Sequence, residues 1–260
     1  MERWRDKWAL VTGASAGIGR ALAEQLAAAG AHLVLTARRR DRLEQLAKEL
    51  RAKHGVRVEV VAADLMLPRA PDELLAFTQG KGIEIELLVN NAGFGNYGPF
   101  YKSELSRELG MTQVNCAAVV HLTRLFLPAM VERKRGDVLI LGSTASFQGV
   151  PFIATYAATK AFDLLFAEAL AEEVREFGVR VCCLCPGSTQ SEFREVAGTP
   201  ARATAHQETA EKVARVGLRA LAAGKSYVIS GMGNYLMAQS ERLTPRRMVT
   251  RIAGSMFRPR

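Results

Sequence analysis

The sequence predicts a doubly wound α/β fold, a parallel sheet of about seven strands with helices on both faces. Three observations predict it. Short apolar runs rich in Val, Ile and Leu alternate along the chain with segments of helical period. The first of these runs, residues 8–12, passes through Gly13-Ala14-Ser15-Ala16-Gly17-Ile18-Gly19 directly into a helical segment. At 260 residues, 48% hydrophobic and 23% charged, the chain is long enough to bury a full core without staples.

Taken in order, residues 8–12 are the first strand, and residues 20–29 are a helix stopped by Gly30. Strand, glycine turn and helix form the context that a dinucleotide fingerprint requires. The glycines let the backbone approach a pyrophosphate, and the helix start offers unpaired N–H groups and a positive dipole end. The second strand, 32–36, ends in Ala37-Arg38-Arg39-Arg40. In NAD-binding proteins an acid at this strand end bonds the ribose 2′-hydroxyl. Here the next acid, Asp41, already opens the following helix. Arginine forks suit a phosphate, so the reading is NADP(H) rather than NAD(H).

Residues 41–53 form a helix with leucines at 43, 46 and 50, ended by Gly55. A third strand, 56–61, is followed by Asp64 and Leu65; Asp64 either accepts from an adenine amino group or serves as a loop or cap acid. A short helix over 71–79 and a fourth strand over 85–90 lead into Asn90-Asn91-Ala92-Gly93. Such alternation implies right-handed crossovers, with ligands beyond the carboxyl ends of the strands. Residues 94–101 are a glycine- and aromatic-rich loop suited to lining a pocket, and 103–133 are mostly helical with Asn115 inside. An asparagine is slightly unfavourable in mid-helix, so it has either a polar duty or a satisfied core amide. A fifth strand over 137–141 ends before Ser143, and a helix over 155–177 is stopped by Gly178. A sixth strand over 179–184 meets the turn Pro186-Gly187-Ser188-Thr189-Gln190-Ser191. Residues 192–206 have no clear period and read as a lid. A helix over 206–223 and a last strand over 225–230 precede a basic extension at about 232–260, all in a single domain over 1–260.

The chemistry centres on Tyr156 and Lys160, four residues apart on one helix face. An ammonium beside a phenol stabilises the phenolate, so the tyrosine's pKa is expected to fall from about 10. Such a tyrosine exchanges a proton with an alcohol or carbonyl oxygen near neutral pH. The Ser143 hydroxyl is placed to hold the same oxygen.

The formal charge of +9 admits nucleic acid, an anionic membrane surface or an anionic cofactor. No aromatic-rich basic stripe accompanies the arginines, so no nucleic-acid partner is expected. No apolar run reaches about 20 residues, and residues 1–8 lack the apolar segment of a signal peptide, so the expected location is cytoplasmic. Cys182, Cys183 and Cys185 crowd one strand and Cys116 has no CxxC partner, so all four are expected to be reduced and mostly buried, with no metal.

Together, Thr12 to Gly19, Asp64, Asn90 to Gly93, Asn115, Ser143, Tyr156-x-x-x-Lys160 and Pro186-Gly187 resemble the short-chain dehydrogenase/reductase family over roughly residues 7–230. The resemblance implies a Rossmann fold and a carbonyl/alcohol oxidoreductase. Tyr156 would be the general acid or base, Lys160 would lower its pKa and bond the nicotinamide ribose, and Ser143 would polarise the carbonyl. Asn115 would link Lys160 to a proton path through a water. Gly13, Ser15, Gly17, Ile18 and Gly19 would wrap the pyrophosphate and adenosine. Arg38, with Arg39 near, would take the 2′-phosphate. Asp64 and Leu65 would face adenine, and Asn91, Ala92 and Gly93 the adenosine ribose. Pro186, Gly187, Thr189 and Ser191 would border the carboxamide. Phe94, Tyr97, Phe100, Phe147, Val150, Phe152 and Phe193 suggest an apolar small-molecule substrate.

The chain departs from many tetrameric members in lacking an Asp-Gly-Gly ending, which favours a homodimer through the helices at 103–133 and 155–177. The tail mixes Leu236, Met237, Leu243, Met248, Val249, Ile252, Met256 and Phe257 with arginines. Packing on the domain or a partner subunit is the expectation for it, in preference to a membrane surface. An NADP(H) sensor without turnover is the alternative function, and a nucleic-acid binder the third.

Overall fold

Seven parallel strands form one sheet in the computed structural model, which describes residues 2–198 and 207–259. The strands are β1 (Trp8–Thr12), β2 (His32–Ala37), β3 (Val58–Ala62), β4 (Ile85–Asn90), β5 (Gly136–Leu141), β6 (Val179–Cys185) and β7 (Tyr227–Ile229), in the order β3-β2-β1-β4-β5-β6-β7. Strands buried on both faces must be apolar throughout. Leu87, Leu88 and Val89 of β4 and Val138, Leu139 and Ile140 of β5 are all buried. The order reverses at β1, where neighbouring crossovers run to opposite faces and open a crevice at the carboxyl edge.

On one face, α1 (Gly17–Ala28), α2 (Arg40–His54) and α8 (Ala210–Ala222) close a core containing Leu22, Leu26, Leu46 and Leu218. The other face holds α3 (Ala70–Gly80), α4 (Leu105–Thr112), α5 (Ala118–Glu132) and α6 (Ala154–Glu173), with Leu74, Leu122, Phe126 and Leu164 in its core. A short α7 (Phe193–Ala197) follows β6. After β7 the chain forms α9 (Met232–Ser240), a 3-10 turn at Glu241–Leu243 and α10 (Arg246–Phe257).

Three features go beyond the sequence expectation. Residues 105–132 are continuous, with a π-helical turn at Gln113–Ala117 joining α4 to α5. This 28-residue stretch is long and apolar enough to cross a membrane by length and composition, although no apolar run of that length was expected. It packs through Val114, Ala118, Leu122 and Met130 into the sheet. The charged N-terminal stretch is tied down: Trp4 is fully buried and donates to Asp137 Oδ2 at 2.7 Å, and Arg3 pairs with the same oxygen at 2.8 Å. The lid is helical at residues 193–197, and its part over 199–206 lies outside the described residues.

Burial pushes the Glu241 carboxyl from its ordinary 4.5 up to about 7. Between those values the folded chain holds a proton that the unfolded chain has released. The group's contribution to stability is therefore full below pH 4.5 and is lost as pH rises to about 7. Glu241→Gln removes the ionisation. The variant is expected to melt roughly 4–8 °C above the parent at pH 8, corresponding to on the order of 2 kcal/mol once the shift is discounted for the group's partial exposure. Melting curves of the two should converge below pH 4.5; equal curves at all pH values would remove Glu241 as a source of strain.

Candidate active site

The carboxyl ends of β1, β2, β4, β5 and β6 border one cleft of about 460 Å³. Its floor is the β1–α1 turn. Gly13 and Gly17 have φ of 65° and 55°, values that suit residues without a Cβ. A Cβ at Gly19 would lie 2.3 Å from both Asn91 Nδ2 and the Gly13 carbonyl, so the turn is held against the β4 loop. Thr12 Oγ1 accepts from the Asn91 and Ala92 amides, each at 2.9 Å, while Asn91 Nδ2 donates to the Thr12 carbonyl at 2.8 Å. The Asn91 side chain thus braces two loops. Ala16, at the α1 N-cap, supplies no side-chain acceptor, which leaves the first α1 amides for a ligand.

At the β2 tip, Arg38 is exposed and has no ion pair among the described residues. Arg39 donates to Ser15 Oγ at 3.1 and 3.3 Å and pairs with Glu192 at 2.7 Å. Arg42 pairs with the same carboxylate. The two arginines hold Glu192 below the usual carboxylate range. No local signal points to Glu192 in this place, because it comes from the lid, 150 residues or more along the chain. Asp64 and Leu65 line the cleft beyond β3, with Asp64 Oδ1 accepting from the Met66 amide at 3.0 Å.

The inner end holds the titratable cluster. Ser143 caps a 3-10 turn, its hydroxyl accepting from the Ala145 amide at 3.1 Å. Ser146 bridges this turn to α6: its hydroxyl accepts from the Ser143 amide and donates to the Lys160 carbonyl at 2.7 Å. Tyr156 packs on Phe193 of α7 at 5.2 Å between rings, and Lys160 Nζ lies 6.0 Å from the Tyr156 ring centroid. Lys160 donates to the Leu141 carbonyl at 2.6 Å and to Asp163 Oδ2 at 2.9 Å. Both members of this pair are buried.

Here the expected fall in the Tyr156 pKa is corrected. Burial disfavours the phenolate and outweighs the nearby Lys160 charge and the Ser143 side chain, so the pKa is raised. Burial also opposes the charge on Lys160, but Asp163 more than offsets it and the pKa is raised. Burial pushes Asp163 up to about 6 against the pull of Lys160. Asp163 was missed although its i,i+3 spacing from Lys160 was readable, since an acid at that spacing usually sits on a solvated face.

The other expected residues fall as follows. Gly13, Ser15, Gly17, Ile18, Gly19, Arg38, Arg39, Asn91, Ala92, Gly93, Ser143, Tyr156, Lys160, Pro186, Gly187, Thr189 and Ser191 all line the cleft. Asn115 sits behind it in the π-helical turn, fully buried. Its Oδ1 accepts from the Phe94 amide at 3.2 Å, and its Nδ2 donates to the Phe94 carbonyl and to Thr159 Oγ1. Of the expected pocket residues, Phe94 and Phe193 line the cleft; Tyr97, Phe100, Phe147, Val150 and Phe152 do not. Val150 is buried under α10 and Phe100 points outward, because the loop's course is set by tertiary contacts. Phe257 of α10 lines the cleft instead.

The cysteines are free; Cys182, Cys183 and Cys185 are buried, Cys116 half-buried, and burial pushes Cys116 up to about 11 and Cys182 up to about 12. Among the described residues no cluster suits a metal ion.

Comparison with known proteins adds to this geometry. The sequence profile of the short chain dehydrogenase family matches residues 7–201. A very-long-chain 3-oxoacyl-CoA reductase from Pyricularia oryzae is 37% identical over 180 residues, which are 68% of this chain and 54% of that one. The chain thus spans about half the length of the curated relatives it matches. A short-chain dehydrogenase from Sphingobium yanoikuyae in complex with NADPH superposes with a TM-score of 0.84 at 28% identity, covering 98% of this chain and 96% of that one. A short chain dehydrogenase/reductase from Burkholderia phymatum in complex with NAD gives 0.83 at 25% identity, covering 94% and 95%.

Proposed function

Since this chain belongs to the short-chain dehydrogenase family, we propose that it is an NADP(H)-dependent oxidoreductase that reduces a carbonyl group on an apolar, acyl-type substrate. The carrying observation is the convergence of Ser143, Tyr156 and Lys160 at the inner end of a cleft whose outer end has a glycine turn and two arginines. The uncapped α1 amides and the left-handed glycines fit a dinucleotide. When bound, the nicotinamide supplies the hydride. Tyr156 delivers the proton to the carbonyl oxygen. Tyr156 is protonated at neutral pH at its ordinary pKa, and burial keeps it so, which leaves it a proton to give. Ser143 holds the same oxygen. Lys160, fixed by Asp163 and the Leu141 carbonyl, keeps a positive charge beneath the phenol and offers its remaining N–H to the cofactor ribose. Asn115 braces the 93–94 loop against α6 and so keeps the Lys160 side of the cleft in register.

The substrate class is supported by Phe94, Phe193, Val196 and Phe257 along the cleft and by the reductase names of the curated relatives. A homodimer is part of the same proposal, supported by the exposed Leu105, Leu109, Val120, Phe162 and Leu165 on α4, α5 and α6.

The test is NADPH oxidation with 3-oxoacyl thioesters and bulky apolar ketones, alongside titrations of NADPH and NADH. NADPH is expected to bind on the order of tenfold tighter or more, from charge-assisted bonds of Arg38 and Arg39 to the 2′-phosphate. Glu192 occupies Arg39 and Arg42 and competes with that phosphate. Glu192→Gln is therefore expected to tighten NADPH by roughly three- to tenfold and leave NADH unchanged. Equal affinity for the two cofactors, in both proteins, would rule out NADP(H) preference. Tight binding without turnover on any carbonyl would favour a sensor.

A further inference from the structure

The C-terminal helices carry a surface that the reaction does not use. α10 packs through Ala253 and Phe257 onto Ala145, Val150, Ile153 and Ala157, and the Tyr97 hydroxyl donates to the Phe257 carbonyl at 2.7 Å. Its outward side is amphipathic in a second sense. Met248, Ile252 and Met256, at i, i+4 and i+8, form one stripe and are 56%, 51% and 52% exposed. Arg247 and Arg251 form a parallel stripe about 100° round the helix and are also exposed. Leu243, at 90% exposure in the 3-10 turn, and Leu236 of α9 are exposed as well. From Arg242 to Pro259 the sequence contains no acidic residue. Arg242, Arg246, Arg247 and Arg251 have no ion pair among the described residues.

We propose that this face docks on an anionic phospholipid surface, the apolar stripe entering the headgroup boundary and the arginines pairing with lipid phosphates. Contiguous exposed apolar side chains of this size mark an interaction site. Apolar and cationic stripes side by side are the pattern of a helix lying in a membrane interface. The charge decides between occupants. A second copy docking by two-fold symmetry sets each patch against itself, bringing the α10 arginine stripes together with no acid between residues 242 and 259 to neutralise them. An anionic lipid layer satisfies both stripes at once. The docking stands apart from the reaction assigned above, although α10 also supplies Phe257 to the cleft wall.

The experiment is flotation of the full chain with vesicles of phosphatidylcholine alone and of phosphatidylcholine containing phosphatidylglycerol, at low and high salt. The chain is expected to float with the anionic vesicles, to stay in solution with the neutral ones and to be released by salt. The double variant Arg247→Gln/Arg251→Gln is expected to bind the anionic vesicles roughly thirtyfold more weakly. Ile252→Ser/Met256→Ser is expected to lose flotation while melting within a few degrees of the parent, since about half of each residue's surface is exposed. No flotation of the parent, or equal flotation with neutral and anionic vesicles, overturns the proposal. So does a salt-stable dimer that Ile252→Ser/Met256→Ser splits, because that assigns the face to a second copy. If a variant fails to fold, the lipid and salt comparison on the parent chain still decides.

Discussion

Tyr156→Phe is expected to lower kcat/KM for carbonyl reduction by about 10²–10⁴-fold while leaving NADPH binding unchanged. The substitution removes one oxygen and keeps the ring, so the packing on Phe193 survives. What is lost is the proton that meets the developing alkoxide. Burial makes the phenol a weaker acid than tyrosine in water and leaves it fully protonated at pH 7. A phenylalanine has no proton to give. Steady-state rates with the best ketone, paired with a fluorescence titration of NADPH, separate the two effects. Retained turnover in a variant that still binds cofactor would mean that another group supplies the proton, and the proposed role of Tyr156 would have to be abandoned.

Asp163→Ala is expected to have the largest effect on stability. Lys160 and Asp163 are both buried at 2.9 Å, and removing the acid leaves an ammonium in the core with only the Leu141 carbonyl. Breaking a buried pair by removing one partner costs about 3–5 kcal/mol, because the remaining charge stays desolvated. In a chain of this size that lowers the melting temperature by roughly 6–20 °C. Lys160→Met/Asp163→Leu removes both charges and fills the same volume, so its melting temperature is expected to return close to the parent value. Turnover is not expected to return, since the cation beneath Tyr156 is gone. Thermal melts of the three proteins test the stability term and rates test the chemistry. If the single and double variants melt alike, an unpaired Lys160 charge is not the source of the lost stability.

Much of the site was legible because it is built from short local signals at strand ends. The glycine turn, the arginines after β2 and the Tyr156/Lys160 spacing each depend on a few adjacent residues, and a parallel sheet collects strand ends along one edge. What escaped depends on contacts between distant segments. Glu192 meets Arg39 only because α7 folds back over the cleft. Phe257 enters the cleft only because α10 returns across Val150 and Ala157. The π-helical turn at Asn115 has no composition signal, and a buried asparagine there is explained by the loop it braces. The direction of the Tyr156 pKa was misjudged for the same reason. Spacing reveals the neighbouring charge, but the desolvation that outweighs it depends on the packing of Phe193 and the surrounding cleft.

The sequence by itself determined the order of strands and helices, the strand end at which each polar group sits and the pairing of Tyr156 with Lys160. These follow from backbone periodicity, glycine conformation and helix geometry, which act over a few residues. Only the tertiary structure decided which aromatics face the cleft, that Asp163 anchors Lys160, that Glu192 holds the arginines, and which side of α10 faces outward. Burial and electrostatic balance depend on what lies across space from each group, and that is set by the packing of the whole chain.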